Sequence, residues 1–213
     1  MTKITGSRNI LLNFGIILFF LLLAYAYLFP LLEGKVLSQS DIAHNLGMGK
    51  ELRDYREATG EEAIWTNSMF SGMPGYLISV TYKTNLAQPL QNLIRLFHPA
   101  AAIFLYMLGF YILLLSMEID RWKSVVGAIA FGLSSYFLII LAAGHNSKAY
   151  AIGYLPIVLA GVLLAFRNKL FLGAILFSIG LSLEILAGHL QITYYGLILI
   201  AIYGLVELIY SIK

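Results

Sequence analysis

Apolar residues fall in long blocks separated by short polar breaks, and only residues 33–98 read as water-facing chain. A bilayer core about 30 Å thick takes roughly 20 apolar residues as helix. The pattern therefore predicts six spans: Ile10 to Leu32, Pro99 to Met117, Ser124 to Ala143, Tyr150 to Phe166, and two more within the 41-residue tract Leu170 to Tyr210. As one helix that tract would be about 60 Å long, twice the membrane, so it must fold back. Its polar interruption, Gly188-His189-Leu190-Gln191, marks the expected turn. The fold class is all-α, a polytopic transmembrane helix bundle with a long loop after span one. The chain divides accordingly into 1–32, 33–98 and 99–213. Lys3 and Arg8 ahead of an apolar run ending in Ala24-Tyr25-Ala26 have the form of a signal peptide. The run continues through Tyr27 to Leu32 to spanning length, which favours a retained helix.

The long loop carries its own periodicity. Ser40-Asp41 ahead of Ile42-Ala43-His44 predicts a helix start with Asp41 as N-cap. Lys50/Asp54 and Arg53/Glu57 then stand at i,i+4, and Thr59-Gly60 supplies a stop. A turn-rich stretch from Asn67 to Gly75 precedes a short apolar segment, Tyr76 to Tyr82. Further on, Leu86, Leu90, Leu93 and Phe97 share one face, with Gln88, Gln91, Asn92 and Arg95 elsewhere. A helix with that stripe lies in the membrane interface, so the loop is expected to rest on the bilayer as a lid.

Composition agrees with lipid as the solvent. The chain is 60% hydrophobic and 12% charged, with a mean hydropathy of +0.82. A soluble domain needs about 25% charged residues, and disorder needs low hydrophobicity, so both classes are excluded. The absence of cysteine removes disulfides, thiolate zinc sites and cysteine nucleophiles. A net charge of +3 gives no reason to expect a nucleic-acid partner. The positions of the bases matter more than their sum. Lys3, Arg8, Arg121, Lys123, Arg167, Lys169 and Lys213 all fall on one side if the six spans alternate, whereas the short loops opposite hold Lys148. The positive-inside rule then puts the N-terminus in the cytoplasm and the long loop outside.

Candidates for chemistry gather on that outer side: His44, His98, His145, His189, Asp41, Lys148 and Gln191. Glu184 lies within span five, where an ionised carboxylate costs as much as about 2.5–3.5 kcal/mol. Each has a plainer reading. Asp41 can serve as a cap, His145-Asn146 with Lys148 as a wet turn, and Gly188-His189 as a helix-turn device. Gly127, Gly132, Gly173 and Gly180 suit close helix packing, and Trp65 with Tyr194-Tyr195 suits interfacial anchoring. Phosphate-loop, zinc-protease, serine-hydrolase and dinucleotide motifs are all missing.

Several segments nevertheless carry a resemblance. Leu32-Glu-Gly-Lys-Val-Leu-Ser-Gln-Ser-Asp41, Tyr55-Arg-Glu-Ala-Thr-Gly-Glu-Glu, Trp65-Thr-Asn-Ser-Met-Phe-Ser-Gly-Met-Pro, Ala143-Gly-His-Asn-Ser-Lys-Ala and His189-Leu-Gln-Ile-Thr-Tyr-Tyr resemble the YfhO-like bacterial membrane proteins. The likeness covers essentially all 213 residues and is greatest to versions from the Bacteroidetes. YfhO-like proteins are grouped with the GT-C glycosyltransferases of the bacterial inner membrane. The resemblance implies transfer of a sugar from a polyprenyl-phosphate donor to a cell-envelope acceptor at the outer face. It implies Asp41, in the first outer loop, as the catalytic carboxylate, with His145, Lys148 and His189 at the substrate. Asn146, Glu184 and Gln191 complete the expected substrate-binding set.

No metal or other cofactor is expected. A carboxylate metal site joining Asp41 to Asp54 or Glu57 is conceivable, but helix pairing directs those two acids to Lys50 and Arg53. YfhO-like chains are longer, so the resemblance implies an N-terminal portion, silent alone, that requires its C-terminal part or a partner chain. Two rival classes are a transporter or flippase using Glu184 as a relay, and a non-catalytic assembly subunit.

Overall fold

The computed structural model of the chain describes residues 6–80 and 84–212. The topogenic Lys3 and Lys213, the Arg8 side chain and the end of the predicted apolar segment at Tyr82 lie outside the described residues. The chain divides into two compact units. One holds α1 (Gly6–Tyr27), α4 (Gln88–Arg95), α5 (Ala100–Ser116), α6 (Arg121–Gly132), most of α7 (Ser135–Ala143), α8 (Asn146–Phe166), α9 (Leu170–Leu186) and α10 (Leu190–Ile212). The other holds Ser38–Leu86 with Ala142–Gly144. The interfacial helix expected as part of the loop, α4, thus belongs to the helical unit.

The protein is all-α and its apolar helices are those of a membrane-embedded chain. Three of them, α1 from Asn9, α8 and α10, are long and apolar enough to cross a membrane alone. The count rises to 5 if the bent pairs α4/α5 and α6/α7 each make one span, and α9 is a shorter apolar helix of 17 residues. Each of the six predicted segments is therefore helical, while length and composition support three to five crossings. The helix of span one stops at Tyr27, and Phe29–Glu33 follows as a 3-10 turn with Pro30 near its start and Gly34 in the left-handed region at φ 76°. Pro30 has no N–H for an α-helical bond, which accounts for the early stop. Span three bends by 43° between Gly132 and Ser135, and α4 meets α5 at 112°. The fold-back in the long apolar tract occurs at Ala187 to His189, with Gly188 at φ 78°.

Helix α8 is central. Two thirds of its apolar stretch is buried (67%), against 17% for α1 and 11% for α10, whose remaining surface is left for lipid. Glycines let the neighbours approach. A Cβ on Gly109 of α5 would lie 2.6 Å from the Gly153 carbonyl oxygen of α8. On the other face, a Cβ on Gly161 would lie 2.5 Å from Phe177 N, and one on Gly173 2.6 Å from Ala165 N. Lipid tails are as apolar as leucine, so such close backbone contact supplies the helix association that water would otherwise drive. Between α5 and α8 the core is filled by Ile103, Tyr106, Met107, Tyr150 and Tyr154.

The smaller unit is organised around Glu51. Helices α2 (Ser40–Met48) and α3 (Lys50–Thr59) are separated at Gly49, and Gly60 at φ 74° ends the second. A two-residue hairpin, β1 (Trp65–Thr66) with β2 (Met73–Pro74), follows. The Glu51 carboxylate accepts from the Thr66 hydroxyl, from Asn67 N at 3.1 Å and from Ser68 N at 2.9 Å. These bonds hold its pKa down at about 2, with the Thr66 bond the largest cause. Arg56 clamps the other side, with Nε 2.6 Å from Glu62 Oε1 and Nη2 donating to Ser79 O at 2.8 Å. The expected Lys50–Asp54 pair is present. Arg53 does not turn to Glu57 but donates to the Leu46 carbonyl across the α2–α3 junction. Asp41 is not the N-cap. Gln39 holds that position, and Asp41 sits one residue inside the first turn, where the helix dipole favours an acid.

Two outcomes follow from this packing. Gly161→Ala should cost about 1–3 kcal/mol by overpacking and lower the melting temperature in detergent. Gly15→Ala, where nothing lies within 4 Å, should not; equal melting of the two variants would contradict the close approach of α8 and α9. The Glu51 contribution is present above its ordinary pKa near 4.5 and is lost as pH falls through about 2. Limited proteolysis should therefore cut Glu51→Gln faster than wild type within residues 60–80 at pH 7, with the difference closing between those two pH values.

Candidate functional site

The start of α8 brings several polar side chains to one end of the helical unit. Gly144, at φ 100°, turns the chain out of α7, and His145 takes the N-cap position of α8 with its N–H donated to Ile140 O at 3.0 Å. Asn146 opens the helix. Lys148, half-buried in the first turn, lays its ammonium 5.3 Å from the Tyr136 ring centroid. His189 arrives from the α9–α10 turn. Burial, and then the charges of Lys148 and His145, hold its pKa below the usual 6.5. The three side chains therefore share one electrostatic neighbourhood, which favours the neutral form of the His189 imidazole. Its buried Nε2 has no hydrogen-bond partner among the described residues.

Of the other expected site residues, Glu184 is 1% exposed in the last turns of α9, and its Oε1 lacks a partner. The Thr193 hydroxyl of α10 interacts with it electrostatically, yet Thr193 Oγ1 is itself without a well-placed hydrogen bond. Gln191 takes no part in this grouping, since its Nε2 donates to Tyr195 Oη at 3.1 Å on the exposed face of α10. In the smaller unit Asp41 is half-buried against Gly144, where an added Cβ would come within 3.1 Å of the Asp41 Cβ. Gly144 is thus required both for its left-handed backbone and for the room it leaves beside the carboxylate. His44 is exposed on α2.

A second grouping escaped the sequence reading. Arg95, at the end of α4, stacks its guanidinium 4.6 Å from the Tyr150 ring centroid. His98 Nδ1 lies 3.2 Å from Tyr150 Oη. Tyr154 beside Tyr150, and Tyr106 within electrostatic reach of Tyr150, are both fully buried with hydroxyls that have no partner among the described residues. The available signal was Tyr150 and Tyr154 at i,i+4 in an otherwise apolar helix, preceded by Arg95 and His98 at the foot of span two.

The opposite end of the unit is built differently. Arg121 Nη2 donates to Asn9 Oδ1 at 2.8 Å, and Arg167 Nη1 donates to Ser116 O at 2.8 Å beside Glu118 at 3.6 Å. Asp120 caps α6 by accepting from Trp122 N and Lys123 N. There the bases hold helix termini together. Two grooves along α8, one lined by Leu113, Leu159 and Tyr203 and the other by Ala165, Phe177 and Ile200, are apolar and do not include the polar residues of either cluster. Among the described residues no three His, Asp or Glu side chains converge as a metal site. No family model, curated protein or solved structure matches the chain.

The depression of the His189 pKa gives a direct check. Removing the Lys148 charge by Lys148→Gln should raise that pKa toward 6.5, read by NMR titration of labelled histidine in nanodiscs. An unmoved titration would separate His189 from Lys148.

Proposed function

We propose that the protein is a membrane glycosyltransferase that moves a sugar from a polyprenyl-phosphate donor to a cell-envelope acceptor at the outer face of the bacterial inner membrane. The observation that carries this reading is the gathering of His145, Lys148 and His189. The family resemblance singles out the same three residues. In the reaction, an acceptor hydroxyl oxygen attacks the anomeric carbon as the bond from that carbon to the phosphate oxygen breaks. The bonding electrons leave with the phosphate, and the hydroxyl proton passes to a carboxylate, the role that the family resemblance gives to Asp41. Attack opposite the leaving group inverts the anomeric centre. Lys148, with its fixed positive charge, stabilises the phosphate as its charge grows, and the His145 and His189 imidazoles supply hydrogen bonds there. A neutral His189 suits donation to an anion without the cost of burying a second cation beside Lys148.

The orientation follows from the charges. Arg121 and Arg167 belong to the end of the helical unit opposite His145 and Lys148, and the positive-inside rule assigns the arginine end to the cytoplasm. One observation favours a second reading, a transporter or flippase: Glu184 is fully buried with an unpartnered oxygen, as a proton-relay carboxylate would be.

Asp41→Asn should abolish sugar transfer in proteoliposomes supplied with the sugar lipid, with expression and membrane insertion unchanged. Full transfer by that variant would overturn the assignment. Binding of the sugar lipid that is lost on substitution of Asp41 or Lys148, yet indifferent to Glu184→Gln, separates the transferase from the relay.

A further inference from the structure

Arg95 is a cation in search of a counter-charge. Its guanidinium is pinned over Tyr150, yet its buried Nε and Nη2 have no hydrogen-bond partner among the described residues. Those two N–H groups point the same way along one edge of the guanidinium plane. That edge is the fork that receives two oxygens of a single oxyanion. Leaving both donors buried and unpaired is costly, and no carboxylate satisfies them among the described residues.

The surroundings extend the same donor surface. Tyr154 is 0% exposed with its hydroxyl unpartnered, and it lies within electrostatic reach of Arg95. Tyr106, equally buried and unpartnered, stands in the same relation to Tyr150. The Tyr150 hydroxyl is occupied by His98. The guanidinium edge and the Tyr154 phenol thus both neighbour Tyr150, with donors to give and no acceptor on them among the described residues. Their depth is set by the helices that carry them. Tyr154 is eight residues into α8 and Tyr106 six residues into α5, or about 12 Å and about 9 Å along the axes at 1.5 Å per residue. Leu93, Leu96 and Phe97 are exposed on and just beyond α4 beside Arg95, as residues that meet acyl chains would be.

We propose that Arg95, Tyr150 and Tyr154 form a binding site for a phosphate-type oxyanion, the phosphate ester of a membrane lipid, held by the Nε/Nη2 fork with the Tyr154 hydroxyl as a further donor. The site is independent of the transferase reading. It is tested by binding, and it stands or falls without any sugar being moved.

The experiment uses the full chain in phosphatidylcholine nanodiscs. Phosphatidylglycerol and phosphatidic acid are added in parallel arms, inorganic phosphate in a third, with melting temperature and retained lipid in native mass spectrometry as readouts. Wild type should be stabilised and should retain one anionic lipid. Arg95→Gln should lose both effects, and Tyr154→Phe should weaken retention several-fold. Lys169→Gln, an equal change of charge at the far end of the unit, should behave as wild type. Stabilisation by inorganic phosphate alone that is lost in Arg95→Gln would support the oxyanion site and identify free phosphate as its source. Should Arg95→Gln fail to fold, wild-type retention with the Tyr154→Phe comparison decides. Equal retention by wild type and Tyr154→Phe, or equal loss in Lys169→Gln, would overturn the site.

Discussion

Contact between backbones, made where glycine leaves no side chain, holds the helical unit together. Helix α8 meets α5 at Gly109 and Gly153, and meets α9 at Gly161 and Gly173, at distances no Cβ would tolerate. In lipid this is a necessity. Water does not push apolar helices together there, so dispersion over closely fitted surfaces must do so. The pairing of α8 with α9 sets where the α9–α10 turn emerges, and with it the position of His189. Helix α8 also carries Lys148, Tyr150 and Tyr154 directly. Both polar clusters therefore depend on glycines several turns away from them.

The protein uses its scarce charges in two ways. At one end of the helical unit Arg121 and Arg167 each donate to a partner, Asn9 Oδ1 and Ser116 O, and one donor, Arg121 Nε, is left buried without a partner among the described residues. At the other end Arg95, His189, Tyr106 and Tyr154 are left with buried donors or ring nitrogens unfilled. A fold seldom leaves such groups unsatisfied, and where it does the locality marks function more sharply than the mere presence of a polar residue. The same contrast separates Gln191, which is tied to Tyr195, from Glu184, whose oxygen is not.

Much of this was legible in the sequence. The apolar blocks gave helices where expected, and Gly188 marked the fold-back within a residue or two. Breaks inside apolar blocks were less visible. Gly132-Leu133-Ser134-Ser135, where α6 and α7 part, is a small and weakly polar signal that a span can also carry without a break. The cap was misplaced by two residues, Asp41 for Gln39, because a cap depends on the local turn, and the helix already opens at Ser40. The grouping of Lys148 with His189 was readable from topology. That of Arg95 with Tyr150 and Tyr154 was not, since it requires the angle at which α4 meets α5. Glu51 went unnoticed for a related reason. Its partners, Thr66 to Ser68, belong to a hairpin that no apolar alternation announces.

That angle has a mechanical side. Where α5 runs along the membrane normal, a helix at 112° to it runs nearly parallel to the sheet of lipid headgroups. Its depth is then governed by lateral pressure among the lipids as well as by the protein. Thinning the bilayer, or changing its curvature, acts on α4 along its whole length, as a float feels the level of a liquid. Arg95 lies at the end of that float while Tyr150 is fixed in the bundle. Arg95 stacked on Tyr150, with Gln91 buried and Ile94 packed on the core, is thus where a helix lying along the membrane would meet the interior of the protein.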